Sequence, residues 1–91
     1  MNVEWSADAL ADVAGILEHL PDEIASNTAE GILQAEANIR VFPLAAHYHV
    51  DLDVYERYVP KTRVILVYRI TEALIEIVSA FHTSRDDAGK L

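Results

Sequence analysis

Residues 54–81, VYERYVPKTRVILVYRITEALIEIVSAF, decide the fold. Three segments, 54–60, 63–70 and 74–81, are rich in Val, Ile, Tyr and Phe, the residues that suit a pleated, half-buried surface. In 63–70 the period is two: Val64, Leu66, Tyr68 and Ile70 fall on one face, Arg63, Ile65, Val67 and Arg69 on the other. The connections Pro60-Lys61-Thr62 and Thr71-Glu72-Ala73 are too short for a crossover, so consecutive segments must pair antiparallel.

Upstream the period changes. Ser6 stands where a helix N-cap belongs, and Leu10, Val13, Leu17 and Leu20 follow at helical spacing, with Asp8, Asp12 and His19 off that face. Gly15, a poor helix residue, is expected to permit close packing against a neighbour. Pro21 stops this helix. A second begins near Asp22, whose charge with that of Glu23 suits the positive end of the macrodipole. Its expected buried stripe is Ile24, Thr28, Ile32, Ala35, Ile39 and Phe42, ending at Phe42-Pro43. Two helices joined by so few residues fold back as an antiparallel hairpin. Residues 2–6 read as extended, 44–53 as a loop or irregular lead-in, and 82–91 as a polar tail. The expected architecture is βααβββ, an α+β fold with an antiparallel sheet against an N-terminal helical hairpin, in one domain over 1–91.

Composition narrows the function classes. The 91 residues hold no Cys, so neither disulfides nor a Cys-based zinc site is available. Seven basic against fifteen acidic side chains give a net charge of −8. That balance argues against coating nucleic acid or an anionic membrane, and no stable direct DNA binding by this chain alone is expected. The excess is local: residues 1–39 hold eight acidic side chains and no Lys or Arg, while residues 40–91 hold seven of each sign. MNVEWSADAL has neither a basic nor an apolar signal-peptide region, and the longest apolar runs fall far short of a membrane span, so a cytoplasmic location is expected.

The stretch Tyr58–Asp86 carries a V-P-K-T turn (59–62), an L-V-Y-R-I strand (66–70) and a closing F-H-x-x-R-D (81–86). The first half adds V-x-W-S at 3–6, A-x-x-D-V at 9–13 and I-x-x-F-P at 39–43. In this order and spacing the chain, over residues 2–87, resembles the RelE/ParE superfamily, the toxins of type II toxin–antitoxin (plasmid-stabilisation) modules. The family often has a Gly soon after F-P, where this chain has Leu44-Ala45-Ala46. The resemblance implies a cognate antitoxin, of ribbon–helix–helix type, as partner. It also implies one of two activities. RelE-like members are ribosome-dependent mRNA endonucleases that use cationic side chains on the sheet; ParE-like members inhibit DNA gyrase by protein contact. The positions matching the nuclease cations are Glu56, Tyr58 and Ile65, none of which brings the positive charge that a developing phosphate charge needs. The resemblance therefore points to the ParE-like branch, with the nuclease or a degenerate non-toxic member as alternatives. It implies no cofactor.

Candidate site residues follow. Arg57, Lys61, Arg63, Arg69 and Arg85, with Tyr58, form an expected target- or antitoxin-binding set on or beside the sheet. Solubilising charge, with ion pairs to Glu56, Glu72 and Asp86, is the competing reading. Arg57, His82 and Arg85 are the catalytic candidates should the chain be a nuclease, against a strand-end role for His82. Were 47–53 extended, His47, His49, Asp51 and Asp53 would share a face and could ligate a metal, but the chain offers few further ligands and a solvated loop is expected. Trp5 and Phe81 read as core, Tyr48, Tyr55 and Tyr58 as interface aromatics or half-buried residues, and Asp8, Asp12, Glu18, Asp22, Glu23, Glu30 and Glu36 as a solvated helical face.

Overall fold

Ser6 joins the two halves of the architecture. Its backbone is extended (φ −71°, ψ 162°), and its Oγ accepts from the Ala9 N–H at 3.0 Å, capping the first helix. The same residue donates through its N–H to the Ile77 carbonyl at 2.9 Å and through its hydroxyl to the Val78 carbonyl at 3.2 Å. The helix start is thereby tied to the last strand. The computed structural model describes residues 1–83. Its elements are β1 (Asn2–Trp5), α1 (Ala7–Glu18), α2 (Asp22–Val41), β2 (His47–His49), β3 (Val54–Tyr58), β4 (Val64–Ile70) and β5 (Leu74–His82).

The five strands form one sheet in the order β1-β5-β4-β3-β2. The three strands expected from the period-two segments pair antiparallel, Tyr58 opposite Ile65 and Ile65 opposite Phe81. Two features go beyond the expectation. First, β1 pairs parallel with β5, Trp5 against Ile77, so the sheet is mixed. Short connections impose direction only on sequence neighbours; β1 meets β5 across the whole chain, and no turn dictates its polarity. Second, part of the expected loop 44–53 is a strand: β2 pairs antiparallel with β3. Its support is tertiary. Tyr48, Tyr55 and Tyr68 stack across β2, β3 and β4, with ring centroids 4.8 and 5.4 Å apart, a ladder that no local pattern encodes. β5 also runs through His82, one residue into the expected tail.

The core lies between the helices and one face of the sheet. It takes Ala9, Ile32, Ala35 and Ile39 from the helices, and Val59, Val64, Leu66, Tyr68, Ile75, Ile77 and Ala80 from the sheet half. Trp5, Val13 and Ile16 pack at its margin. The middle of the α2 stripe is buried as expected, but its end members Ile24 and Phe42 are exposed, as is Leu10 on α1. α1 meets the sheet through Ala9, Val13 and Ile16, which turns Leu10 outward. Phe81, expected in the core, stands 43% exposed on the other face.

The close approach expected at Gly15 falls at Gly31 instead. A Cβ on Gly15 would meet nothing within 4 Å. Gly31 is the close approach: a Cβ there would lie 3.2 Å from Val59 Cγ1 and 3.4 Å from Thr62 Cγ2. α2 passes the β3–β4 turn at this point, and a methyl here would have to push Val59 or Thr62 back by a few tenths of an ångström.

Candidate functional site

The β3–β4 turn is built to hold two cations in place. Lys61 adopts the left-handed conformation (φ 65°) that closes the turn. The Thr62 hydroxyl donates to the Val59 carbonyl at 2.8 Å and accepts from the Val64 N–H at 3.0 Å. The Val59 N–H reaches the Val64 carbonyl at 2.9 Å, and the Thr83 N–H reaches the Arg63 carbonyl at 2.7 Å. Lys61 and Arg63 therefore project from a backbone secured on both sides. They line an open cleft of about 730 Å³ together with Tyr58 and His82, while Leu20 and Ile24 from the tip of the helical hairpin supply an apolar wall. Among the described residues no carboxylate lines this cleft.

The structure divides the expected basic set. Lys61, Arg63, Tyr58 and His82 meet at the cleft. Arg57 does not join them: it shares the helix-covered face with Leu66 and Tyr68, and its guanidinium donates to the Ala45 carbonyl at 3.0 Å. β4, with its buried Val64 and Leu66, separates Arg57 from His82. Arg69 is exposed on the uncovered face, opposite Glu76. Arg85 and Asp86 lie outside the described residues. Among the described residues Arg40 and Glu36 form an ion pair at 3.1 Å, and His49 Nε2 lies 3.3 Å from the Glu56 carboxylate. Glu56 thus sits beside a histidine of β2 rather than an arginine, and Glu72 closes no ion pair among the described residues.

The stretch proposed as a ligand face is not extended throughout. His47 and His49 lie on β2 with rings 4.6 Å apart, but Asp51 and Asp53 belong to the turn, where Asp53 has a left-handed backbone (φ 55°) and accepts from the Tyr48 hydroxyl at 2.8 Å. That bond, more than any other cause, holds the Tyr48 phenol above its ordinary pKa. Among the described residues no group of three or more His, Asp or Glu side chains is placed to hold a metal ion. Burial pushes the Tyr68 phenol up as well, against a partly offsetting contribution from the Arg57 guanidinium. Its hydroxyl donates to the Pro43 carbonyl at 2.6 Å, which pins the start of the 43–46 connection to the sheet.

Two further surfaces stand out. One is an apolar groove of about 300 Å³ between α1 and α2, lined by Trp5, Leu10, Val13, Leu17, Ile32 and Leu33, among others. Leu10 and Leu33 on its walls are 55% and 65% exposed. The helical spacing that suggested a core stripe on α1 contained half of this groove; only the packing tells a groove wall from a core. The other is the uncovered sheet face, where Tyr58, Ile65 and Phe81 form a row across β3, β4 and β5, with both aromatics exposed.

A helical hairpin on one face of a mostly antiparallel sheet, with no described element on the other, defines a small α+β protein. The family described as the ParE toxin of the type II toxin–antitoxin system, parDE, matches residues 3–87, and the chain belongs to that family. Among solved structures it is similar to a chain of the chromosomal ParDE toxin–antitoxin system from P. aeruginosa, with a TM-score of 0.77 at 18% identity, over 92% of this chain and 97% of that one. At that identity the likeness establishes the shared fold. No protein of curated function matches the sequence. No helix among the described residues is long and apolar enough to cross a membrane.

Proposed function

We propose that this chain is the toxin of a type II toxin–antitoxin module, that it acts by protein contact rather than by catalysis, and that its antitoxin neutralises it by laying an amphipathic helix into the groove between α1 and α2. The observation that carries this reading is the groove itself. Leu10 and Leu33 are large aliphatic side chains left in water beside Trp5, Val13 and Leu17, an arrangement that costs free energy until an apolar partner covers it. Removing that surface from water is worth roughly 25 cal/mol per Å² of apolar area, before association costs. DNA gyrase as the target comes from the family resemblance. Glu56, Tyr58 and Ile65 at the nuclease-matched positions, and the separation of Arg57 from His82, favour protein contact over phosphodiester cleavage.

Two measurements test the reading. With a ribbon–helix–helix antitoxin from the neighbouring reading frame, Leu10→Asp and Leu33→Asp should each abolish co-purification while leaving the fold intact; retained binding in both variants rules the groove out. In a purified supercoiling assay the chain should inhibit gyrase, and an unaffected enzyme at excess protein sinks the target assignment without touching the antitoxin site. New 5′ ends on translated mRNA after induction would instead favour the ribosomal endonuclease.

A further inference from the structure

The cleft at the end of the sheet concentrates a charge the rest of the chain opposes. The chain carries −8 overall, yet among the described residues this cleft is lined by two permanent cations and an imidazole and by no carboxylate. Neither Lys61 nor Arg63 closes an ion pair among the described residues. Surface cations of structural value normally sit beside their counter-ions, and among the described residues these two have none, on a turn fixed by hydrogen bonds within itself and to Thr83. Such a turn arrives preorganised, so little side-chain or backbone ordering remains to oppose an incoming anion.

We propose that this cleft binds a small phosphate ester of the size of a nucleoside monophosphate. The lining is two-sided. Lys61, Arg63 and His82 offer donors to phosphate oxygens, the Arg guanidinium in a bidentate fork. Leu20 and Ile24 of the hairpin supply an apolar wall on one side, and Tyr58 and Ile65 reach the cleft from the margin of the opposite sheet face, where the half-exposed Tyr58 ring gives a nucleobase a surface to stack on. A volume of about 730 Å³ suits a nucleotide-sized ligand. A nucleic-acid chain fits less well: beyond the cleft its phosphates would meet a helical hairpin that carries acidic side chains and, up to Ile39, no cation. Two cations satisfy one phosphate group, not a run of them.

The test is an NMR titration of the isotope-labelled full chain with AMP, with inorganic phosphate and adenosine as separate arms. AMP should shift the amides of Lys61, Thr62, Arg63, His82 and Thr83 saturably at millimolar concentration, phosphate alone should shift the same amides with lower affinity, and adenosine alone should not. Arg63→Gln should weaken AMP about tenfold, the loss of one charge-assisted bond. Lys61→Asn should do the same, since Asn tolerates the left-handed turn and keeps the fold. Arg69→Gln, remote from the cleft, should change nothing. The proposal is overturned by an absence of saturable shifts, or by AMP affinity unchanged in both cleft variants. A single-stranded oligonucleotide binding more tightly per site than AMP would overturn it in favour of a polymer, and a carboxylate-rich peptide shifting these amides where AMP does not would overturn it in favour of a protein partner.

Discussion

The Asp12 carboxylate on α1 accepts a hydrogen bond from the Ala80 N–H on β5 at 3.0 Å. The contact falls where β5 has outrun β1, whose last paired residue, Trp5, lies opposite Ile77. Beyond that point β5 has an open edge, and open edges recruit other strands. Ser6 bonds the Val78 carbonyl and Asp12 bonds the Ala80 N–H, so α1 finishes the ladder that β1 leaves incomplete. A residue whose sequence neighbourhood reads as a solvated acidic face is a strand cap.

Asp12→Ala should therefore destabilise the chain by about 2 kcal/mol, because it strands a part-buried N–H that had a charged partner. Asp8→Ala, one turn earlier and exposed, removes only a favourable charge near the helix N-terminus and should cost below about 1 kcal/mol. Urea unfolding of the two variants checks the contrast. Equal costs would mean the Asp12–Ala80 bond contributes nothing in solution.

Tyr68 sets an alkaline limit. Its phenol is held above the ordinary value in the folded chain by burial, so the folded state keeps its proton where the unfolded state has released it. The stabilisation is full below the unfolded value near pH 10 and is lost as pH rises through the higher folded value. Thermal melts should show stability falling above about pH 10, and Tyr68→Phe should flatten that fall. At neutral pH the same variant should lose about 1 kcal/mol with the bond to the Pro43 carbonyl. A variant that melts with the parent's alkaline profile would place the titration elsewhere.

The glycines should respond oppositely. Gly15→Ala adds a methyl into open space and improves helix propensity, so it should stabilise by about 0.5–1 kcal/mol. Gly31→Ala gains the same propensity but drives its Cβ against Val59, fully buried, and Thr62, fixed by two hydrogen bonds. The net effect should be a loss, measurable as a lower urea midpoint than the parent. A gain at Gly31 matching that at Gly15 would show that the turn yields freely.

Trp5 and Phe81 should separate in the same way. Trp5 packs against the core and its truncation to Ala should cost about 2–3 kcal/mol, reduced from the full buried value by partial exposure. Phe81→Ala should cost less than about 1 kcal/mol, since the ring stands on the uncovered face. If Phe81 is instead a contact residue for the target, the variant loses toxicity at near-parent stability.

The amino-acid sequence by itself determined the elements with strong periods and short connections: α1 with its Ser6 cap, α2 with its Thr28–Ile39 stripe, and the antiparallel trio β3, β4 and β5. These are local facts, and spacing encodes them. Ordered motifs also pointed to the toxin family. Only the tertiary structure decided what depends on residues far apart in the chain: the parallel seat of β1, the tyrosine ladder that makes β2 a strand, and the outward turn of Leu10. It also parted Arg57 from Lys61 and Arg63. All three lie within seven residues, yet strand alternation and a left-handed turn send Arg57 to the helix-covered face and the other two to the cleft. Hydrophobic period reports which face of an element is apolar; whether that face meets a core, a groove or water depends on where the other elements end.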